Sequence, residues 1–128
     1  MEEGEHKHLE AFDDLLLSRG VRPTIMAPLW NAAGFALGAG TALMGEKAAM
    51  ACTSAVEAVI EGHYKEQADE LDEEEADLKA MILEFREDEL EHHDTAIEEG
   101  AEEAPAYGLM KKVIGAGCAV AIKIAEKV

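Results

Sequence analysis

Residues 78–96 constrain this chain more tightly than any other stretch. Leu78, Ile82, Phe85, Glu89, His92 and Ala96 recur at steps of three and four, so a helix carries all six on one face. An apolar stripe of this kind packs inward. Here a carboxylate and an imidazole interrupt it, three residues apart, where burying a lone charge is costly. A helix sets such a pair one turn apart with both tips pointing the same way, as a metal ion requires. The same spacing recurs near the start of the chain, in Glu5 and His8.

The rest of the chain reads as helices with one unusual insert. Over residues 2–18, Glu5, His8, Phe12, Leu15 and Leu16 share a face, and Gly20 is placed to end that helix in a left-handed cap. Pro23 and Pro28 bracket a turn and a helix restart. Residues 25–45 form 21 positions without a charge. That is long enough to cross a bilayer. Pro28, Asn31 and the glycines at 34, 38, 40 and 45 make it a poor span, however, and a close-packed or membrane-surface hairpin is the stronger expectation. Gly34 and Gly38 would permit close backbone approach. Residues 46–69 resume a long helix on which Met50, Thr53, Glu57, Ile60 and Tyr64 form a stripe, again with a carboxylate in the middle. A turn within residues 71–75 leads into the central helix, which runs to about Glu98. Gly100 and Pro105 mark the next break. Residues 106–127 form a last helix, apolar over more than one face and edged by Lys111, Lys112, Lys123 and Lys127. It reads equally as a core-packed helix and as one lying at a membrane interface.

Composition narrows the function. Twenty-eight acidic against 11 basic side chains leave a net charge of −17, which repels nucleic acid. The acidic run from Glu66 to Asp77 is most simply a solvated helix end and turn. The opening turn is acidic, unlike a secretory leader. Cys52 and Cys118 lie in small-residue apolar surroundings without ligand spacing, so they read as free, buried thiols. At 128 residues the chain is read as one domain, residues 1–128.

Three helices thus offer inward-facing carboxylates, Glu5, Glu57 and Glu89, and two of them add a histidine at the third following position, His8 and His92. Four-helix bundles of the ferritin-like di-iron kind draw one Glu from each of two helices and a Glu-x-x-His pair from each of the other two. Bridging carboxylates hold two cations a few ångströms apart, and hard oxygen ligands with two imidazoles suit Fe or Mn. One Glu-x-x-His in so acidic a chain is weak, since its simplest explanation is a surface ion pair. Two copies in phase with apolar stripes, and Glu57 in phase between them, reverse that reading. The pattern also calls for a lone-Glu helix ahead of Glu5. Met1 lies four residues before it, so the expected fold is all-α, a ferritin-like bundle incomplete at the N-terminus, with five of six ligands. Asp88 is placed to reach the outer nitrogen of a ligand histidine on a facing helix. Tyr64, on the same stripe as Glu57, could bond a carboxylate or the substrate, or simply pack with its hydroxyl satisfied. His6 and His93 fall off the inward faces, and the methionines read as gap-filling residues.

These residues carry a family resemblance. Glu5-x-x-His8-Leu9, Val21-Arg-Pro-Thr24, Pro28-Leu-Trp-Asn31, the run from Gly34 to Leu43, Ala49-Met-Ala-Cys-Thr53, Val56-Glu57, His63-Tyr64, Glu89-Leu-Glu-His-His-Asp94 and Ala104-Pro-Ala-Tyr107 resemble the demethoxyubiquinone hydroxylases of ubiquinone biosynthesis, over essentially the whole chain. The resemblance implies an O2-dependent monooxygenase with two Fe ions, using NADH to hydroxylate the ring of a polyprenylated demethoxyquinone. It implies Glu5 and Glu89 as bridging ligands, His8 and His92 as terminal ligands, and Glu57 as the terminal carboxylate of the second half. His63 and Tyr64 match residues tied to reduction or substrate contact. The charge-free segment matches a membrane-facing region through which a lipid substrate enters. The implied setting is peripheral, on the inner membrane, with other ubiquinone-biosynthesis proteins as partners.

Against the family pattern, the expected departure is a missing first helix. The sequence could be a shortened form, or a neighbouring chain could donate the helix, and the apolar face left open implies self-association into a homo-oligomer. Two further readings stand beside the hydroxylase: a non-catalytic member of the fold that binds quinone or membrane, and an iron-storage subunit. The last fits poorly with the glycine-rich segment and the basic apolar C-terminal helix.

Overall fold

The computed structural model describes residues 2–128 and contains five α-helices, with no strand among the described residues: α1 (Glu2–Arg19), α2 (Ala27–Leu43), α3 (Glu46–Glu70), α4 (Ala76–Glu98) and α5 (Tyr107–Ala125). Single turns of tighter helix at Glu73–Glu75 and Ala101–Glu103 lead into and out of α4. The all-α class expected from periodicity is what forms.

The breaks fall where the backbone demands them. Gly20 has φ +65° and closes α1, its N–H donating to the Leu17 carbonyl while Val21 N–H reaches the Leu16 carbonyl. Gly45, at φ +117°, reverses the chain between α2 and α3. Asp72 caps the turn into α4 by accepting from the Glu74 N–H at 3.0 Å.

Helix α3 is the hub, packing against α2, α4 and α5. Small residues allow this: Ala48, Ala51, Cys52, Ser54, Ala55 and Ala68 are its buried positions besides Glu57. The expected stripe on α3 is therefore only part of its packed surface, since Met50, Thr53, Ile60 and Tyr64 are half-buried. A helix with neighbours on several sides buries whichever side chains are short enough for close approach. On α4 the expected stripe holds: Ile82, Phe85, Glu89, His92 and Ala96 are buried and Leu78 half-buried. Helix α1 lies on α4. Lys7 donates to Glu84 at 2.6 Å, Arg19 pairs with Glu75 at 2.7 Å, and Phe12 meets Phe85 edge-on.

The charge-free segment corrects the sequence reading. It is one continuous helix, α2, and not a hairpin; Pro28 occupies its first turn, where a missing N–H costs nothing. Gly34 and Gly38 make no close backbone approach, because nothing lies within 4 Å of where their Cβ atoms would stand. Residues 31–40 are all exposed, and α2 meets α3 near its C-terminal end, where Thr41 is buried. Among the described residues, no helix is long and apolar enough to cross a membrane. Helix α5 packs inward along one side and leaves apolar side chains exposed on the other. Tyr107 and Met110 pack on the cluster of Ala51, Ala101 and Ala104, while Leu109, Val113, Val120 and Ile124 face outward. Cys52 is buried and Cys118 half-buried, both free.

Candidate metal centre

Helical phase delivers the candidate ligands to one point. Glu5 and His8 project from α1, Glu57 from the middle of α3, and Glu89 and His92 from α4. One ligand atom from each of Glu5, Glu57, Glu89 and His92 lies within 4.8 Å of all the others. His92 Nδ1 stands 3.3 Å from Glu5 Oε1, 3.5 Å from Glu89 Oε2 and 4.0 Å from Glu57 Oε1. His8 joins from the opposite side, its Nδ1 3.0 Å from Glu89 Oε1 and 3.9 Å from Glu5 Oε2. All five expected ligands therefore converge. His8, Glu57, Glu89 and His92 are buried, while the Glu5 side chain is half-exposed and opens the cluster to solvent. Within the protein the site lies deep on α3 and α4 and shallow on α1.

The cluster is electrostatically incomplete by itself. His8 Nδ1, His92 Nδ1, Glu57 Oε2 and Glu89 Oε2 are buried without a hydrogen-bond partner. Buried polar atoms are almost always paired, and four orphans aimed at one another mark a place where something else is to bind. Three carboxylates this close also repel. Glu57 is held protonated well above the usual carboxylate range, pushed up to about 9 by burial first, then by its hydrogen bond to Glu89 and the charges of Glu89 and Glu5. A pair of divalent cations would satisfy the orphaned oxygens and nitrogens and displace the Glu57 proton, offsetting all three carboxylates together. The donor set, carboxylate oxygens with two imidazoles and no thiolate, fits iron or manganese.

The surroundings prepare the imidazoles. Asp88 Oδ2 accepts from His8 Nε2–H at 3.0 Å, as its position before Glu89 suggested. That bond turns Nδ1 to the cluster, the nitrogen a metal would take. A Cβ on Gly4 would stand 3.3 Å from Cε1 and Nε2 of His92, so the lack of a side chain there lets α1 pass close to that ring. Sequence reasoning assigned Gly4 no role; only the helix crossing reveals it. Tyr64 lies against the cluster, its ring centroid 6.4 Å from that of His8 and stacked on Phe12 at 6.2 Å. Burial, and then the charges of Glu89, Glu5, Glu57 and Asp88, push its phenol above its ordinary range, so it stays protonated. His63 turns elsewhere. Its Nε2 lies 3.7 Å from Glu126 Oε1, beyond the end of α5. Helices α2 and α5 contribute no acidic residue.

Fold and site together define a class: an all-α helical protein with an interior carboxylate–histidine cluster whose ligand atoms stand close enough to hold a metal ion. Comparison with known sequences makes this specific. The chain belongs to the family described as Ubiquinone biosynthesis protein COQ7, whose family model matches residues 1–125. It is 54% identical over 124 residues to the 3-demethoxyubiquinol 3-hydroxylase of Rhodospirillum rubrum, covering 97% of this chain and 58% of that protein. Identity is also 54%, over 127 residues, to the mitochondrial NADPH-dependent 3-demethoxyubiquinone 3-hydroxylase of Rattus norvegicus, covering 96% of this chain and 58% of the relative. With the mitochondrial 5-demethoxyubiquinone hydroxylase of Saccharomyces cerevisiae it is 44% over 139 residues, covering 97% and 60%. The chain thus spans about three fifths of the length of these relatives. The resemblance carried by the sequence motifs is borne out.

Proposed function

We propose that this chain works as an O2-dependent di-iron hydroxylase of ubiquinone biosynthesis, of the ferritin-like class, acting on the ring of a demethoxy-polyprenyl-quinone within a single domain, residues 1–128. The observation that carries the reading is the meeting of five donor side chains from three helices, four of them with buried atoms that have no partner inside the protein. Glu5, His8, Glu57, Glu89 and His92 would hold two iron ions. Bound iron supplies the power to activate O2 for inserting one oxygen atom into a ring C–H bond. The remaining work falls to the chain. Asp88 holds the His8 ring, and the aromatic wall of Phe12, Tyr64 and Phe85 limits water on one side. The protonated Tyr64 hydroxyl offers a donor to a quinone oxygen. The names of several relatives specify NADPH where the resemblance implied NADH, and both support a nicotinamide nucleotide as the reductant.

The outward apolar side chains of α2 and α5, with the lysines bordering α5, support a peripheral seat on an anionic membrane surface, the inner membrane in a mitochondrial setting. Both helices pack on α3, which carries Glu57, so a lipid substrate leaving the membrane would pass along their faces. The same surfaces support a homo-oligomer and contacts with other ubiquinone-biosynthesis proteins.

The test is iron loading followed by turnover. Two Fe(II) per chain should bind, His92→Ala and Glu57→Ala should each lose metal, and loaded protein should consume NAD(P)H only with demethoxyquinone and O2. A second reading, a non-catalytic quinone- or membrane-binding protein, is favoured by the apolar surfaces of α2 and α5, which need no metal. Iron-free protein that binds quinone-bearing liposomes but never turns over would select it.

A further inference from the structure

Phe85 is 1% exposed and among the largest fully buried side chains. Periodicity accounts for its pointing inward, but not for what it meets. Its ring centroid lies 4.1 Å from that of His8, with the planes inclined at 32°. This contact joins α4 to the imidazole that α1 sends into the metal cluster. Phe85 is itself wedged by Phe12, at 5.7 Å and 73°, and by Tyr64, at 6.5 Å and 56°.

The single hydrogen bond on the outer edge of His8 comes from Asp88, whose side chain is 32% exposed. Asp88 at Nε2 and Glu89, 3.0 Å from Nδ1, touch only the edges of the ring. A swing about the Cβ–Cγ axis would carry Nδ1 off the cluster and Nε2 off Asp88, and edge contacts resist it only by stretching. An aromatic face laid against the imidazole restrains that swing directly, because it holds the plane and not merely the edge atoms. Offset ring pairs are attractive beyond their buried area, so the constraint does not depend on crowding alone.

We propose that Phe85 is a positioning residue for His8: by packing its ring on the imidazole it holds Nδ1 on the metal cluster and Nε2 on Asp88. The inference rests on the metal-centre reading above, yet half of its test needs no metal. In metal-free protein, NMR should report one orientation of the His8 ring, with a single set of ring-proton contacts to Tyr64. Phe85→Leu and Phe85→Met keep bulk and apolarity but remove the flat face; each should yield a mixture of ring orientations. In a titration with Mn(II) alone, both should bind about three- to tenfold more weakly than wild type, the range one aromatic pair accounts for. Ile97→Ala, in the separate apolar cluster beside Ala101, should lower stability and leave Mn(II) affinity and the His8 ring orientation unchanged.

Wild-type affinity and an unchanged ring orientation in both Phe85 variants would overturn the proposal. So would an Ile97→Ala loss of affinity as large as theirs, which would mean that only general stability is being read. Should both Phe85 variants fail to fold, the wild-type spectrum still decides, because two interconverting His8 ring orientations there would refute the clamp. A wild-type chain that binds no Mn(II) defeats the metal reading, while the ring-orientation measurement judges Phe85 independently.

Discussion

Replacing Glu57 by glutamine should make the metal-free protein more stable and the metal-loaded protein less so. With ligand atoms within 4.8 Å of each other, two ionised carboxylates repel by about 3.5 kcal/mol at an effective dielectric of about 20. Glu57 avoids this by keeping a proton up to about 9, whereas its ordinary value is 4.5. Between those values the folded state binds a proton that the unfolded chain releases. Stability of metal-free wild type therefore falls as pH rises through that window, by up to about 1.4 kcal/mol per pH unit for one proton. The amide of Glu57→Gln neither takes up nor releases a proton. From about pH 5.5 to about pH 7.5 the variant should gain roughly 2–3 kcal/mol on wild type, or about 10 °C in Tm for a chain of this size. The measurement is urea or thermal unfolding in chelator at several pH values. Mn(II) or Fe(II) should then reverse the order: metal at about 100 times its Kd adds about 2.7 kcal/mol to wild type and much less to a site short of one carboxylate. Parallel pH slopes for the two proteins in chelator would refute the reasoning, as would equal stabilisation of both by metal.

Asp88→Ala should weaken metal binding about 10- to 100-fold by releasing the His8 ring, measurable by calorimetric titration, with the fold retained by circular dichroism. Phe85→Ala should destabilise the chain by about 3–5 kcal/mol, read from urea midpoints, because the cavity opens beneath three aromatic rings. The glycines should respond with opposite signs. Gly45→Ala, at φ +117° with open space around it, should cost about 1–2 kcal/mol from backbone strain alone, whereas Gly34→Ala, inside α2 and equally uncrowded, should stabilise by about 0.5–1 kcal/mol. Thermal melts of the two variants side by side check both.

Much of this protein was legible before any coordinates, because a helix converts spacing into direction. Glu89 and His92 on the stripe of Ile82 and Phe85 had to point inward together, and so did Glu5 with His8. Gly20 and the turn before Ala76 were readable from local backbone preference. That sufficed for an all-α fold and for the five residues of the cluster. Periodicity misled where a segment lacked a polar face. Over residues 25–45 every position is uncharged, so the pattern could not say which side faced α3, and the glycines suggested a close approach that α2 does not make.

Tertiary structure alone decided which helices are neighbours, and with it everything that depends on a crossing. That Asp88 bonds His8, that Phe85 stacks on the same ring, that Gly4 makes room for His92, and that His63 turns to Glu126 are contacts between segments far apart in the chain. A one-dimensional pattern specifies the direction of a side chain relative to its own helix axis. Its partner is set by where the other axes lie, which follows from packing small residues of α3 against three helices at once.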